Sequence, residues 1–230
     1  MRVEVDHVSH VYPGPSPRRV LDDVTVELTQ RRVGVIGANG SGKSTFLRLM
    51  NGLIVPDAGH VRVDGLDTAK DAREVRRRVG FCFTDPDNQI IMPTVAEDVA
   101  FGLRKAKLPK DEVAGRVDVL LRRFGLEGHA EHPAHLLSGG QKQLLALASV
   151  LITEPDLLIM DEPTTLLDLR NAAEIGRVVG ELDQSVLLAT HHLYLLESFD
   201  RVLVFDGGRI VADDAPGPAI AFYRELMGVA

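Results

Sequence analysis

Eight residues near the start of the chain have the spacing of a phosphate-binding loop. The segment Gly37-Ala38-Asn39-Gly40-Ser41-Gly42-Lys43-Ser44 matches the pattern G-x-x-x-x-G-K-[ST]. It lies between a short apolar run, residues 33–36, which is typical of a buried strand, and a predicted helix over 44–50. The glycines let successive backbone N–H groups converge on an anion, and the helix start adds the positive end of its dipole. We expect Lys43 to bind the terminal phosphates of a nucleotide and the Ser44 hydroxyl to bind Mg²⁺.

Two adjacent carboxylates at the end of an apolar strand could supply metal binding and water activation. Asp161 and Glu162 directly follow the run Leu157-Leu158-Ile159-Met160. Since neighbouring side chains of a strand point to opposite sides, Asp161 can approach a metal ion while Glu162 reaches the space beside the terminal phosphate. We expect Asp161 to hold Mg²⁺ through its water shell and Glu162 to act as the general base toward water.

A second candidate anion site lies at the start of a long predicted helix that ends near residue 152. The segment Leu137-Ser138-Gly139-Gly140-Gln141 begins this helix, and Ser138 is a favourable N-cap. Its hydroxyl and the following glycine amides again offer donors to a phosphate. Because one nucleotide has one terminal phosphate, which Lys43 already binds, two anion sites on one chain indicate assembly. We expect the second site to serve a nucleotide on another copy, in a head-to-tail pair with two-fold symmetry.

The composition is that of an acidic globular chain. Its 230 residues include 26 lysines and arginines against 33 aspartates and glutamates, for a formal net charge of −7. A negative charge disfavours sequence-independent nucleic-acid binding, which needs a basic surface. No apolar run approaches the roughly 20 residues of a membrane span. A single cysteine, Cys82, excludes an intramolecular disulfide, so we expect an intracellular protein without a span of its own.

The elements that position these motifs alternate between strands and helices, with one interruption. Alternating valines near both 3–5 and 24–28 predict an antiparallel N-terminal layer, and strand–helix alternation returns after Pro155. From about residue 94 to 152 the apolar period is helical. We expect a single α/β domain over 1–230, with a core of about 1–87 and 154–230 and an inserted helical subdomain of about 88–153.

The predicted elements of the last third are two strands, a hairpin and three helices. The strands cover 157–160 and 186–189, and the hairpin turns at Asp206-Gly207-Gly208. The three helices are predicted over 169–182, 194–199 and 218–227.

At this point the chain resembles the ATP-binding-cassette (ABC) ATPases over nearly its whole length. The Walker A loop that ends at Ser44, the Leu-Ser-Gly-Gly-Gln signature, the Walker B strand with its following glutamate, and a late histidine occur in the family's order. The resemblance implies a P-loop NTPase fold of the ABC type, ATP and Mg²⁺ as ligands, and ATP hydrolysis as the activity.

The resemblance also implies roles for residues that the spacing alone does not assign. His191 is similar to the switch histidine that contacts the γ-phosphate, and Asp168 to the D-loop aspartate that links two sites across a dimer. Tyr12 matches the aromatic residue that stacks on adenine. The expected catalytic residues are Glu162, His191 and Lys43. The expected nucleotide-binding residues are Tyr12, Gly37, Ala38, Asn39, Gly40, Ser41, Gly42, Lys43, Ser44 and Thr45, with Ser138, Gly139, Gly140 and Gln141 acting on the other copy's nucleotide.

Three regions depart from the family pattern. Thr84 stands at the position of the Q-loop glutamine; its hydroxyl is a third candidate metal ligand, but it is shorter than glutamine. We expect the nearby Gln89 to belong to the surface that faces a membrane partner. Leu166 and Leu167 precede the D-loop aspartate where small residues are usual, and Leu144 replaces an arginine. We expect these changes to affect coupling and turnover rate while nucleotide binding and hydrolysis persist.

Several segments are similar to the energy-coupling-factor (ECF) subgroup, which powers vitamin and metal-ion importers. They are Gly65-Leu66-Asp67-Thr68, Asp85-Pro86-Asp87-Asn88-Gln89 and Glu97-Asp98-Val99-Ala100-Phe101-Gly102. These segments are most similar to those of the biotin-importer ATPases and, after them, to those of the cobalt-importer ATPases. The resemblance implies a pair with a second copy or a paralogue, docked at the cytoplasmic face of the membrane on a transmembrane coupling protein and accompanied by a substrate-binding membrane protein.

Two alternative functions remain open. The chain could serve a cobalt, nickel or other vitamin importer instead of a biotin importer. It could also be an ABC ATPase of DNA repair or translation, but those proteins carry a long coiled-coil insertion or two cassettes, and basic surfaces.

Overall fold

Two β-sheets and seven α-helices form the described part of the chain, which in this computed structural model comprises residues 1–165 and 167–229. The strands are β1 (Val3–Tyr12), β2 (Arg18–Leu28), β3 (Arg32–Gly37), β4 (Ala58–Val63), β5 (Leu66–Asp67), β6 (Val79–Cys82), β7 (Leu157–Asp161), β8 (Ser185–Ala189), β9 (Arg201–Asp206) and β10 (Arg209–Asp214). The helices are α1 (Lys43–Met50), α2 (Ala72–Arg78), α3 (Val95–Phe101), α4 (Lys110–Arg123), α5 (Gly139–Leu151), α6 (Leu169–Gly180) and α7 (Pro216–Leu226).

The first sheet is the expected antiparallel layer. Its four strands lie in the order β2-β1-β4-β5, and every pairing is antiparallel. Alternate side chains of β1, among them Val3 and Val5, are buried because one face of this sheet packs on the core.

The second sheet has six strands in the order β10-β9-β3-β8-β7-β6. The five strands from β9 to β6 are parallel, and β10 joins the edge through the predicted hairpin. In β7, Leu157 and Ile159 face the apolar cluster between the two sheets, whereas Leu158 and Met160 face the cluster beneath the helices. This strand reads as a continuous apolar run because both of its faces are covered.

Helices replace strands between β6 and β7, as the apolar period predicts. Thr94 and Glu97 form a capping box at the start of α3, which is a sequence signal for a helix that periodicity alone did not delimit. Gly125, with φ +65°, follows the end of α4 in the expected closing position. Within the described residues, no helix is both long enough and apolar enough to cross a bilayer.

One expected helix is wrong. Residues 194–199 do not form an α-helix; a short 3₁₀ helix covers Leu193–Leu196. The cause is the nearby start of β9, because the backbone N–H of Asp200 bonds to the carbonyl of Arg32 at 3.0 Å and the Asp200 carboxylate accepts from the Arg32 N–H at 2.7 Å. These bonds fix the chain beside β3 directly after the 3₁₀ turn, so the segment continues into β9 instead of extending as a helix.

Candidate functional site

The carboxyl ends of three neighbouring parallel strands bring most of the predicted site together. β3 ends at Gly37 and continues into the glycine-rich loop, β7 ends at Asp161, and β8 ends two residues before His191. Because β8 lies between β3 and β7, these three ends are adjacent although they are far apart in sequence. Crevices at the carboxyl edge of parallel strands are the usual ligand sites of such sheets.

The glycine-rich loop is held from both sides before any ligand binds. Gly37 has φ +152°, and a Cβ there would lie 2.3 Å from the carbonyl oxygen of Phe205. Gly42 has φ +109°, and a Cβ there would lie 2.7 Å from the carbonyl oxygen of Val20. Only glycine therefore fits at either position. Helix α1 starts at Lys43, one residue earlier than expected.

Lys43 folds back over this loop and is almost completely buried. Its Nζ donates to the carbonyl oxygens of Gly37 at 2.7 Å and Ala38 at 3.1 Å, and lies 3.7 Å from Oε1 of Glu162. Burial lowers the pKa of Lys43, and the carboxylates of Glu162 and Asp161 act in the opposite direction. The ammonium group is thus positioned at the mouth of the loop by hydrogen bonds, with a carboxylate close by.

Ser44 and Asp161 form a pair of oxygen ligands. The Ser44 Oγ donates to Oδ1 of Asp161 at 2.8 Å, and only 2% of Asp161 is exposed. Burial raises the pKa of Asp161, while the Ser44 hydrogen bond and the Arg48 guanidinium at 3.8 Å oppose this shift. A hydroxyl beside a buried carboxylate is a donor set that suits Mg²⁺, which prefers hard oxygen ligands.

Glu162 is aimed at the loop by contacts on both of its oxygens. Its Oε1 lies 2.8 Å from Nε2 of His191, and its Oε2 accepts from Thr165 Oγ1 at 2.9 Å. The same His191 nitrogen lies 3.1 Å from Oδ1 of Asn39 in the loop. Glu162 has φ +52°, a conformation that non-glycine residues adopt rarely and that occurs often at functional sites. The carboxylate therefore faces the same space as Lys43.

Tyr12 lines the cavity beside the loop. Its hydroxyl is 3.2 Å from Oγ1 of Thr45, its ring packs edge-on against His10 with centroids 4.9 Å apart, and 38% of the residue is exposed. The cavity has a volume of about 250 Å³. Its walls are Tyr12, Arg18, Val20, Asn39, Gly40, Gly42, Lys43, Ser44, Thr45 and Glu162.

Arg18 and Val20 are the cavity residues that the sequence motifs missed. They follow the proline-rich turn and lie in β2, which pairs with β1 so that Arg18 stands opposite Tyr12. The sequence signal for them is indirect: they lie in the strand that follows the proline-rich turn and pairs with the strand of Tyr12.

The signature residues do not line this cavity. Ser138 is exposed and caps α5 through a capping box with Gln141, whose Nε2 lies 3.2 Å from Nε2 of His129. Gly140 packs so closely on α6 that a Cβ there would lie 2.5 Å from Cγ of Asn171. Asp168, the expected D-loop residue, caps α6 by accepting from the Asn171 N–H at 2.8 Å.

The signature and Asp168 therefore lie at two helix starts that pack on each other. Gly139 is exposed, and a Cβ there would approach Leu167 to 4.0 Å. The signature residues and Asp168 thus lie on a surface outside the cavity, which is the position expected of residues that act on the nucleotide of another copy.

The departures from the family pattern occupy different environments. The Thr84 hydroxyl donates to the backbone carbonyl of Asp161 at 2.7 Å, which places it beside the candidate metal ligands without bonding to their side chains. Its role as a ligand stays a prediction. Leu144 packs against the apolar cluster beneath the helices. Leu166 lies outside the described residues.

Gln89 is only partly buried, and its expected place in a partner-facing surface stays a prediction. Its side chain is half-buried and directed inward, since its Oε1 accepts from the Phe83 N–H at 3.1 Å and its Nε2 donates to the carbonyl of Ala146 in α5 at 3.0 Å. The turn over Pro86–Asn88 brings the amide back between the end of β6 and α5, where it bonds to one backbone group on each side.

Comparison with known proteins identifies the family. The family model described as ABC transporter matches residues 21–165, which include the glycine-rich loop, the signature and the Asp161–Glu162 pair. The chain belongs to the ABC transporter ATP-binding family. This ABC protein is accordingly an ATP-binding ATPase, and both the resemblance stated from the motifs and the predicted fold are confirmed.

Curated relatives cover nearly the whole ABC chain. A putative ABC transporter ATP-binding protein of Deinococcus radiodurans is 52% identical over 98% of this chain and 98% of its own length. The biotin transport ATP-binding protein BioM of Rhizobium etli is 51% identical over 91% of this chain and 93% of its own. The energy-coupling factor transporter ATP-binding protein EcfA1 of Bacillus subtilis is 35% identical over 99% of this chain and 83% of its own length.

Two solved structures share the fold. CbiO1 of Clostridium perfringens, described as part of the ABC transporter complex CbiONQ, superposes with a TM-score of 0.84 at 33% identity, over 99% of this chain and 93% of its own. The ATP-binding cassette MJ0796 was solved as a dimer bound to ADP and phosphate. It superposes with a TM-score of 0.83 at 28% identity, over 93% of this chain and 98% of its own.

Proposed function

We propose that this ABC protein is the ATP-hydrolysing subunit of an energy-coupling-factor importer for biotin. The observation that carries the enzymatic part is that Lys43 and Glu162 line one cavity beside the phosphate-binding loop, with His191 in contact with Glu162. The relatives named BioM and EcfA1 support the importer class, and the relative from Rhizobium etli supports biotin as the cargo.

Residues in and beside the cavity have separate roles in this proposal. Tyr12 stacks on the adenine, the loop amides over 37–45 and Lys43 bind the phosphates, and Ser44 and Asp161 hold Mg²⁺. When bound, the ion neutralises phosphate charge. Glu162 accepts the proton of the attacking water, and His191 holds the Glu162 carboxylate in place while contacting the γ-phosphate. The Lys43 ammonium, already at the mouth of the loop, attracts the terminal phosphate oxygens.

A second subunit completes each site. Ser138, Gly139, Gly140 and Gln141 would close over the γ-phosphate bound to the partner, and Asp168 would connect the two sites. The exposed position of Ser138 and Gly139 and the dimeric state of MJ0796 support this arrangement. The second subunit is another copy or a paralogue. The helical part over about 88–153 acts in this proposal as a subdomain that moves relative to the core of about 1–87 and 154–230.

Membrane subunits would use the surface between Thr84 and Phe101. Ile91 in this region is 62% exposed, so its apolar side chain is accessible to a partner. Behind it, the buried Asp98 accepts from the N–H groups of Ile91 and Met92 at 2.9 and 3.0 Å and from Ser149 Oγ of α5 at 2.7 Å. Docking at Ile91 is thereby connected to the helix that begins with the signature.

The partners in this proposal are a transmembrane coupling protein and a substrate-binding membrane protein. The ABC subunit would lie peripherally at the cytoplasmic face of the membrane. A cobalt or nickel importer is the second candidate, supported by the likeness to CbiO1.

Uptake by a reconstituted complex tests the proposal. The chain is co-expressed with the membrane proteins encoded beside it, purified as a complex and placed in vesicles loaded with ATP and Mg²⁺ on the side of the ABC subunit. We expect uptake of labelled biotin that is lost in the Glu162→Gln variant and kept in the Glu154→Gln control. Uptake of cobalt without biotin would replace biotin by a metal ion as cargo. Failure of the chain to copurify with any membrane protein would contradict the importer assignment.

A further inference from the structure

Arg18 is a cationic cavity residue that the family motifs do not account for. It is the first residue of β2 and pairs in register with Tyr12 across the turn. Its Nη2 lies 3.4 Å from the carbonyl oxygen of Gly40, and a Cβ on Gly40 would lie only 2.8 Å from the same nitrogen. The guanidinium group therefore covers the middle of the phosphate-binding loop.

The charge of Arg18 lacks a carboxylate partner within the part of the chain that the structure describes. Its contact with Gly40 is long for a hydrogen bond and is made to a neutral oxygen. The neighbouring Arg19 points to the other side of the strand, where its Nη1 bonds to Oδ1 of Asp22 at 2.7 Å. Of these two adjacent arginines, only Arg18 has an uncommitted charge, and only Arg18 lines the cavity.

The position of Arg18 along the cavity indicates which part of a nucleotide it meets. Lys43 and Glu162 line the part of the cavity assigned to the γ-phosphate. Arg18 lies over Gly40 in the middle of the loop and stands opposite Tyr12, the residue assigned to the adenine, in the hairpin. A guanidinium group offers a planar fork of donors that matches two phosphate oxygens.

We infer that Arg18 is a further nucleotide-binding residue, which contacts the phosphates that ADP and ATP share. The inference rests on the nucleotide site proposed above and adds to it a residue supplied by the N-terminal hairpin.

Binding of two nucleotides to matched arginine variants tests this role. Fluorescent ADP and a non-hydrolysable fluorescent ATP analogue are titrated into the wild-type protein and into Arg18→Gln, Arg18→Lys and Arg19→Gln, at fixed Mg²⁺ and two salt concentrations. Loss of a charged hydrogen bond at a partly exposed site predicts about tenfold weaker binding of both nucleotides to Arg18→Gln. Arg19→Gln removes the same charge one residue away and should bind both within about twofold of wild type.

The salt dependence of nucleotide binding distinguishes a direct contact between Arg18 and the phosphates from a long-range effect of its positive charge. Binding to Arg18→Gln should weaken less with added salt than binding to wild type, because one screened interaction is gone. Arg18→Lys should keep the wild-type salt dependence but bind more weakly, since an ammonium cannot make the planar fork.

Four results would overturn the inference. They are wild-type affinity in Arg18→Gln, equal losses in Arg18→Gln and Arg19→Gln, a loss confined to the ATP analogue, and full wild-type affinity in Arg18→Lys. Failure of the wild-type protein to bind either nucleotide would instead contradict the proposed nucleotide site itself. Thermal unfolding of the nucleotide-free variants checks folding, and the Arg18→Lys result decides the matter if Arg18→Gln does not fold.

Discussion

Replacement of Glu162 by glutamine is the sharpest test of the catalytic assignment. The amide is isosteric: its oxygen can accept from Thr165 Oγ1, now 2.9 Å from Oε2, and its nitrogen replaces Oε1, which lies 2.8 Å from Nε2 of His191. What disappears is the proton acceptor and the negative charge 3.7 Å from the Lys43 ammonium. A positioned general base contributes about 10²–10⁴ in rate, or about 2.7–5.4 kcal/mol of barrier.

We therefore expect Glu162→Gln to hydrolyse ATP at least about a hundredfold more slowly while its free energy of unfolding changes by about 1 kcal/mol or less. Nucleotide binding should persist, and removal of a carboxylate near the phosphates should favour a stable ATP-bound dimer. Phosphate release under single-turnover conditions measures the rate, and light scattering with and without ATP measures the dimer.

Glu154→Gln is the matched control for this change. Glu154 is also a glutamate with φ +52°, but it is exposed and pairs with Arg116 at 3.3 Å outside the cavity. The control variant should hydrolyse ATP at the wild-type rate. Wild-type turnover in Glu162→Gln, or equal losses in both variants, would refute the base assignment.

Three further substitutions probe the metal pair, the signature and the Q-loop position. Asp161→Asn should abolish Mg²⁺-dependent hydrolysis yet raise the melting temperature of the metal-free protein. Burial raises the pKa of Asp161, so the ionised carboxylate destabilises the folded wild-type protein at neutral pH. Protonation removes this cost as the pH falls, so the difference in melting temperature between Asp161→Asn and wild type should shrink at acidic pH. Ser138→Asp keeps an N-cap but opposes a phosphate, so ATP-induced dimerisation of Glu162→Gln should be lost while monomer binding of ATP is unchanged; dimers that persist would contradict the role in trans. Thr84→Gln should raise biotin uptake by the complex, at a stability cost of about 1 kcal/mol for the lost bond to the Asp161 carbonyl, and unchanged uptake would show that threonine suffices.

Local chemistry could be predicted from the sequence because it depends on neighbouring residues. The strand, glycine-rich loop and helix around Lys43 are contiguous. The loop needs positive φ angles, and the sequence has glycines at those positions. The Asp161–Glu162 pair follows a strand whose two buried faces make it recognisable as an apolar run. The N-cap at Ser138 likewise depends only on the residues of one helix start.

Contacts between distant segments could not be predicted in the same way. Ser44 and Asp161 are 117 residues apart, and Asn39 and His191 are 152 apart. Their meeting depends on the strand order, which places β8 between β3 and β7. The inward direction of Gln89 depends on backbone groups of β6 and α5 that only the folded chain brings near.

The sequence by itself therefore determined the family and the reaction class and predicted the residues that would bind phosphate and Mg²⁺, because each motif carries its own geometry. The tertiary structure decided where these motifs stand relative to one another. It placed Arg18 over the loop through hairpin pairing, and it left Ser138 exposed at a helix start outside the cavity. Both outcomes depend on the packing of whole elements, for which no short stretch of sequence carries a signal.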